Sequence, residues 1–252
     1  QHHDRMKKDL PLDHIPRGNT CRGVNRAIVE YLLQSRNKGD EKTMLDIPCG
    51  DGALISSLRL FFPKAVVRGC DVRMPKIVSP DDFSLVDASR PFTVFPGTKF
   101  DVVFSVSGVM EFDNTLQFFS QCKDHLRDGG LFLVTNDNVV SIRDRIAYFW
   151  LGKVRPYQLF VTQDQHTWKV IPIHNMVRIL QDSGFGIREI RYVSLRPKDY
   201  LMLPLALLVY PVQFLYMQFA KTRMSVAMRH EMYPFRSLIY RHYIIVCEKV
   251  AI

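Results

Sequence analysis

The chain has 252 residues, 47% of them apolar and 23% charged, which suits one α/β domain with an elaboration, or at most two small domains. That composition excludes a disordered, collagen-like or multi-span membrane protein. The net charge of +9 is unevenly placed: residues 1–139 carry 18 Lys and Arg against 18 Asp and Glu, and residues 140–252 carry 16 against 7. The second half should therefore attract anions, whether phosphate, nucleic acid or an acidic lipid surface. Five scattered cysteines without a C-x-x-C pair argue against a disulfide framework or a structural zinc site, and for a reducing cytoplasm. No metal is expected.

Gln1 to Arg5, with paired histidines ahead of Met6, reads as a non-native remnant. The spacing of Val24, Ile28, Tyr31 and Leu32 predicts an amphipathic helix over 24–34. A short apolar run, Thr43 to Ile47, ends in Pro48-Cys49-Gly50-Asp51-Gly52, and Leu54, Ile55, Leu58 and Phe61 then recur at helical spacing. This is strand, glycine turn, helix. Further strands are expected at 65–70, 83–86, 100–106 and 131–135, with a helix over 115–126 capped by Asp128-Gly129-Gly130. Such alternation implies a Rossmann-like, doubly wound, mostly parallel sheet with helices on both faces.

The second half predicts a helix over 142–151 ended by Arg155-Pro156, a helix over 173–182, and strands over 187–193 and 240–247. Between the last two strands lies an apolar and basic insertion, residues 196–237. The whole chain, 1–252, is expected to be one domain with its cofactor-binding core at 43–136.

The glycine turn is the most specific signal. Glycines two apart after a strand let the backbone approach a ligand closely. A dinucleotide fold needs a third glycine three residues on, and here that position is Ile55, so NAD and FAD are disfavoured. Asp71 ends the second strand, where a carboxylate can accept both ribose hydroxyls, and Asp87 ends the third, within reach of an adenine amino group.

Asp46-x-x-Cys49-Gly50-x-Gly52, Asp71, Asp87 and Phe100-Asp101-Val102-Val103-Phe104 resemble the successive motifs of class I S-adenosylmethionine-dependent methyltransferases. The resemblance spans 43–136, and more loosely 173–193 and 240–249. It is similar to enzymes of this class encoded with bacterial glycan and lipid pathways. It implies a seven-stranded sheet and S-adenosylmethionine as cofactor, with S-adenosylhomocysteine as product. By that resemblance Gly50 and Gly52 cradle the methionine part, Asp71 binds the ribose, Asp87 sits beside the adenine, and the segment from Ser105 to Gly108 lines the sulfonium. The implied cofactor set is Asp46, Cys49, Gly50, Gly52, Asp71, Val72, Asp87, Ala88, Ser105 and Ser107; Arg22, ahead of the glycine turn, adds a partner for the cofactor carboxylate, with a solvated helix face as the alternative. Pro48 stands where the family more often has glycine.

Methyl transfer asks the protein to align an acceptor, exclude water and, for an oxygen or nitrogen acceptor, remove a proton. Glu111 beyond the fourth strand and Asp137 beyond the fifth are candidates, and His166, ahead of the helix at 173, is the first choice for a base by the same resemblance. Asp113 or Asn114 is expected to cap the helix at 115, and for Asp113 that capping role is preferred over a catalytic one. The acceptor class expected is a small molecule, glycan or lipid-linked compound, methylated at oxygen. Nucleic acid is disfavoured for want of a dense basic run or an Asn/Asp-Pro-Pro-Tyr motif. A non-catalytic cofactor-binding module, or an enzyme acting on nucleic acid or protein, is the alternative.

Tyr200 to Ala220 is 21 residues without a charge. Pro204 and Pro211 are expected to break it into short helices. A membrane surface, a cover over the active site and a homodimer contact are the competing readings, with Lys198, Lys221, Arg223 and Arg229 placed to meet phosphates. A cytoplasmic, membrane-peripheral protein is expected.

Overall fold

The computed structural model describes residues 12, 15–35, 42–153 and 169–250. Seven strands form one sheet: β1 (Thr43–Asp46), β2 (Val66–Asp71), β3 (Phe83–Leu85), β4 (Phe100–Val106), β5 (Leu126–Asp137), β6 (Phe185–Val193) and β7 (His242–Lys249). Their order across the sheet is β3-β2-β1-β4-β5-β7-β6. All neighbours from β3 to β5 are parallel, while β7 runs antiparallel to both β5 and β6.

Alternation along the central strands feeds two cores. Leu45, Val103, Phe132, Val134 and Ile245 face one layer, which contains Phe118 and Phe119 of α3 (Thr115–His125) and Met176, Val177 and Leu180 of α5 (Ile173–Asp182). Met44, Val102, Phe104, Leu133 and Ile244 face the other, against Ile28 and Leu32 of α1 (Val24–Gln34) and Leu54 and Leu58 of α2 (Ala53–Phe61). Consecutive strand residues thus enter opposite layers, as the two-residue period of a strand buried on both faces requires. The expected fold is the observed one.

Some boundaries differ from the sequence reading. The α3 helix ends at His125, and the strand starts at once, so Asp128-Gly129-Gly130 lies inside β5 instead of capping the helix. The register slips there, between Phe100–Leu126 and Val102–Leu131, and Gly129 takes the positive φ of 70° that the irregularity needs. The next helix, α4 (Ile142–Leu151), stops at Gly152 (φ 59°), whose N–H bonds back to the Tyr148 carbonyl. Arg155-Pro156 lies outside the described residues.

The insertion holds a 3₁₀ turn (Pro197–Met202), α6 (Leu203–Phe219), α7 (Val226–Met232) and a second 3₁₀ turn (Phe235–Leu238). Contrary to expectation, the prolines do not break α6. Pro204 occupies the first turn, where no N–H is needed, and Pro211 is flanked by two anchors on one face. Those anchors are Ala206, packed among Ile142 and Leu238, and Gln213, whose amide donates to the Tyr233 carbonyl and accepts from Arg145. Tertiary contacts on both sides of the proline hold the helix through the missing hydrogen bond.

Candidate active site

After β1 the chain turns through Gly50 (φ 54°) and Gly52 (φ 78°), conformations that cost side-chain-bearing residues strain. A Cβ on Gly52 would come 2.9 Å from Ile77 Cγ1, and one on Gly50 would come 3.3 Å from Asn19 Nδ2. Ile55, standing where a dinucleotide fold needs glycine, packs its Cδ1 onto Gly69 of β2, 2.5 Å from where a Cβ would lie. The close helix–strand approach is thus made by a glycine on the strand instead of the helix.

Asp71 accepts the Gly50 N–H through Oδ2 at 2.8 Å and the Val72 N–H through Oδ1 at 2.7 Å. Asp87 accepts the hydroxyl of Ser89 at 2.6 Å and its N–H at 3.0 Å, and these two bonds hold its pKa below the ordinary carboxylate range. Both acids open onto a cleft of about 550 Å³ at the carboxyl edge of the parallel strands. Six of the expected cofactor residues line it: Gly50, Asp71, Val72, Asp87, Ala88 and Ser107. Gly108, from the segment expected at the sulfonium, lines it too, as do Asn19 and Pro48, which were not foreseen as ligand contacts. Pro48 fills the space that Gly108 leaves: a Cβ there would sit 2.5 Å from Pro48 Cδ.

The other expected residues stand elsewhere. Asp46 and Cys49 are buried beneath the turn, beside a separate hollow of about 40 Å³ that Gly50 shares. Burial, reinforced by the charges of Asp71 and Asp51, drives the Asp46 pKa well above the ordinary carboxylate value. Ser105 is fully buried within β4, Gly52 starts α2 behind the cleft wall, and Arg22 is exposed ahead of α1 without lining the cleft.

Of the proposed acids and bases, Glu111 is exposed and lines the cleft. The α3 cap is Asn114, whose Oδ1 accepts the Gln117 N–H at 3.0 Å, and not Asp113. His166 lies outside the described residues. Asp137 ends β5 directly opposite His242, the first residue of β7, and its Oδ1 lies 3.0 Å from His242 Nδ1. A carboxylate oxygen only accepts, so Nδ1 carries the proton and Nε2 of the neutral ring is left to accept. Nε2 lies 3.4 Å from Ser107 Oγ, which itself lies 2.7 Å from Thr20 Oγ1. Cys21 Sγ completes the cluster, 3.7 Å from Asp137 Oδ1.

His242 is 1% exposed. Burial disfavours its cation, but the hydrogen bonds to Asp137 and Cys21 outweigh that cost and raise the pKa above 6.5. Ser107 takes φ 58°, a conformation that costs a non-glycine residue about 1 kcal/mol or more. A hydroxyl is therefore kept where glycine would relax the backbone. Sequence reasoning missed His242 because the run 240–247 reads as an ordinary core strand. The available signal was a histidine at the head of an otherwise apolar strand.

A sequence model of the methyltransferase domain matches residues 19–190. Among curated proteins none matches significantly. Among solved structures, the cyclopropane synthase MmaA2 of Mycobacterium tuberculosis is similar at 15% identity and TM-score 0.55, covering 88% of this chain and 83% of that one. The Burkholderia thailandensis 1,6-didemethyltoxoflavin-N1-methyltransferase, with bound 1,6-didemethyltoxoflavin and S-adenosylhomocysteine, is similar at 12% identity and TM-score 0.54, covering 99% and 84%. An S-adenosylmethionine-dependent methyltransferase of Mesorhizobium loti is similar at 13% identity and TM-score 0.52, covering 89% and 97%.

Proposed function

Since this chain belongs to the methyltransferase domain family as a class I S-adenosylmethionine-dependent enzyme, we propose that it methylates an oxygen of a small-molecule, glycan or lipid-linked acceptor. The observation that carries this reading is the line Asp137–His242–Ser107, which ends on the cleft wall. S-adenosylmethionine supplies an electrophilic methyl group on a good leaving group. The left-handed glycines and the Asp71 carboxylate fit its methionine and ribose parts, and Asp87 fits the adenine side.

A hydroxyl acceptor is a poor nucleophile until it loses its proton as the oxygen–carbon bond forms. Ser107 Oγ takes that proton and passes its own to Nε2 of His242. Asp137 holds the ring in the required tautomer and stabilises the resulting imidazolium. Burial of the ring excludes water from this route. Glu111, on the same cleft, is placed to orient the acceptor. The excess of positive charge in residues 140–252 supports an anionic acceptor such as a phosphorylated glycan or lipid carrier.

The test is transfer of tritiated methyl from S-adenosylmethionine to separated lipid, glycan, small-molecule, RNA, DNA and protein fractions. Label is expected in the first three. His242→Gln and Ser107→Ala are expected to slow it by roughly 10²–10⁴-fold while S-adenosylhomocysteine still binds. Label confined to RNA, DNA or protein overturns the acceptor class, and cofactor binding without turnover on any fraction overturns the enzyme reading.

A further inference from the structure

The segment Pro197–Phe219 is long and apolar enough to cross a membrane by length and composition, yet only 11% of its apolar window is buried. It does not cross one. The two 3₁₀ turns of the insertion and α7 all pack against α6, and the chain returns from it to β7, between β5 and β6. Nor does it cover the cleft, since no residue of α6 lines it. Ala206 and Gln213 are buried, and Leu203, Val209 and Tyr210 pack half-buried beside them, but most of the rest is outward: Leu208 is 73% exposed and Val212 69%.

A second exposed apolar element is tied to this helix. Arg145 of α4 donates to Gln213 at 2.6 Å, and just beyond it the last turn of α4 presents Phe149 at 78% and Trp150 at 75% exposure, with Tyr148 and Leu151 also exposed. Lys198 stands exposed before α6, and Lys221 and Arg223 stand exposed after it. From Tyr200 to His230 there is no acidic residue. Arg229, expected to join the basic set, is instead buried and bonds the Ala220 carbonyl.

We propose that α6 and the last turn of α4 form one platform that lies in the plane of an anionic membrane surface. A helix of 17 residues spans about 25 Å and can lie flat with its apolar side among acyl chains. Trp150, Tyr148, Tyr200 and Tyr216 are side chains suited to the headgroup boundary, having apolar bodies and polar tips. The basic residues at both ends of α6 select lipid over a second copy of this chain. A symmetric copy would press the same lysines and arginines against themselves, whereas anionic headgroups complement them. This proposal is independent of the proton route and of the acceptor.

The experiment is flotation of the whole protein with phosphatidylcholine vesicles, with and without phosphatidylglycerol, at low and high salt. The expected result is flotation with the anionic vesicles at low salt and its loss at high salt. The pair Phe149→Ser with Trp150→Ser, and the pair Leu208→Ser with Val212→Ser, should each cut the bound fraction roughly tenfold. Lys221→Gln with Arg223→Gln should remove the preference for anionic lipid. All these side chains are exposed, and unchanged binding of S-adenosylhomocysteine verifies the fold of each variant. The proposal is overturned by failure to float at low salt, or by flotation that the serine pairs leave intact. It is also overturned if the protein dimerises without binding vesicles and the serine pairs make it monomeric, which assigns the face to a second copy.

Discussion

The Oδ2 of Asp71 accepts the backbone N–H of Gly50 at 2.8 Å, so the acid ending β2 holds the glycine turn that follows β1. One side chain therefore both shapes the turn and offers its charge to the cleft.

Asp71→Ala should weaken S-adenosylmethionine and S-adenosylhomocysteine binding by more than about tenfold, because it leaves ribose hydroxyls unpaired and frees the Gly50 N–H. Asp71→Asn, which keeps an acceptor for that N–H, should lose less. Titration calorimetry with both ligands measures the difference, and equal losses would show that the turn does not depend on this bond.

The raised pKa of His242 ties stability and activity to pH with opposite signs. The folded protein binds the proton more tightly than the unfolded chain, so this contribution is full below about pH 6.5 and is lost as pH rises through the folded pKa. A neutral ring is needed to take a proton, so turnover should rise over that same interval. Asp137→Asn removes the charged partner and should shift the activity profile to lower pH. Thermal melts and pH–rate profiles of both proteins provide the check.

Gly69→Ala places a Cβ 2.5 Å from Ile55 Cδ1 and 3.0 Å from Cys49 Sγ, within a tightly filled contact. A loss of about 1–3 kcal/mol is expected from such overpacking. Ile55→Val, which deletes that Cδ1, should recover part of it, so the double variant should be more stable than the sum of the two single losses predicts. Urea unfolding of the three variants decides this.

Asp199 and Arg241 are both buried, and Arg241 Nε donates to Asp199 Oδ2 at 2.6 Å while the Arg196 N–H donates to the same oxygen at 2.9 Å. Burial alone would raise the Asp199 pKa, but these bonds outweigh it and lower the value. The contribution is therefore present above about pH 4 and lost as pH falls through the folded pKa. Asp199→Ala leaves a buried guanidinium short of its partner and should cost roughly 3–5 kcal/mol, read from chemical denaturation at neutral pH.

The strand–turn–helix order was legible because β1 and β4 bury both faces and glycines or acids stand at the strand ends. The glycine spacing and the two acids at strand ends carry geometry that a sequence displays directly. The proton route was not legible, since it joins Ser107 to His242 across 135 positions and depends on β7 running antiparallel. Asp137 was recognisable by its place past β5, but its partner lay in a stretch whose apolar pattern masked it. The continuity of α6 through Pro211 was hidden for a similar reason, because the anchors that hold it come from α4, Tyr233 and Ser237.

The antiparallel course of β7 has a consequence for synthesis. Among the described residues β6 is the sheet's edge strand with β7 as its one hydrogen-bonded neighbour, so residues 185–193 wait for that pairing until residues 242–249 have left the ribosome. The intervening stretch emerges in that interval, carrying the exposed apolar helix. The nascent chain thus passes through a stage in which an open strand and a lipophilic surface are uncovered together, a stage prone to misassociation. Insertion of the last strand closes the open edge of β6 and, in the same event, delivers His242 to Asp137, while the apolar helix stays on the surface.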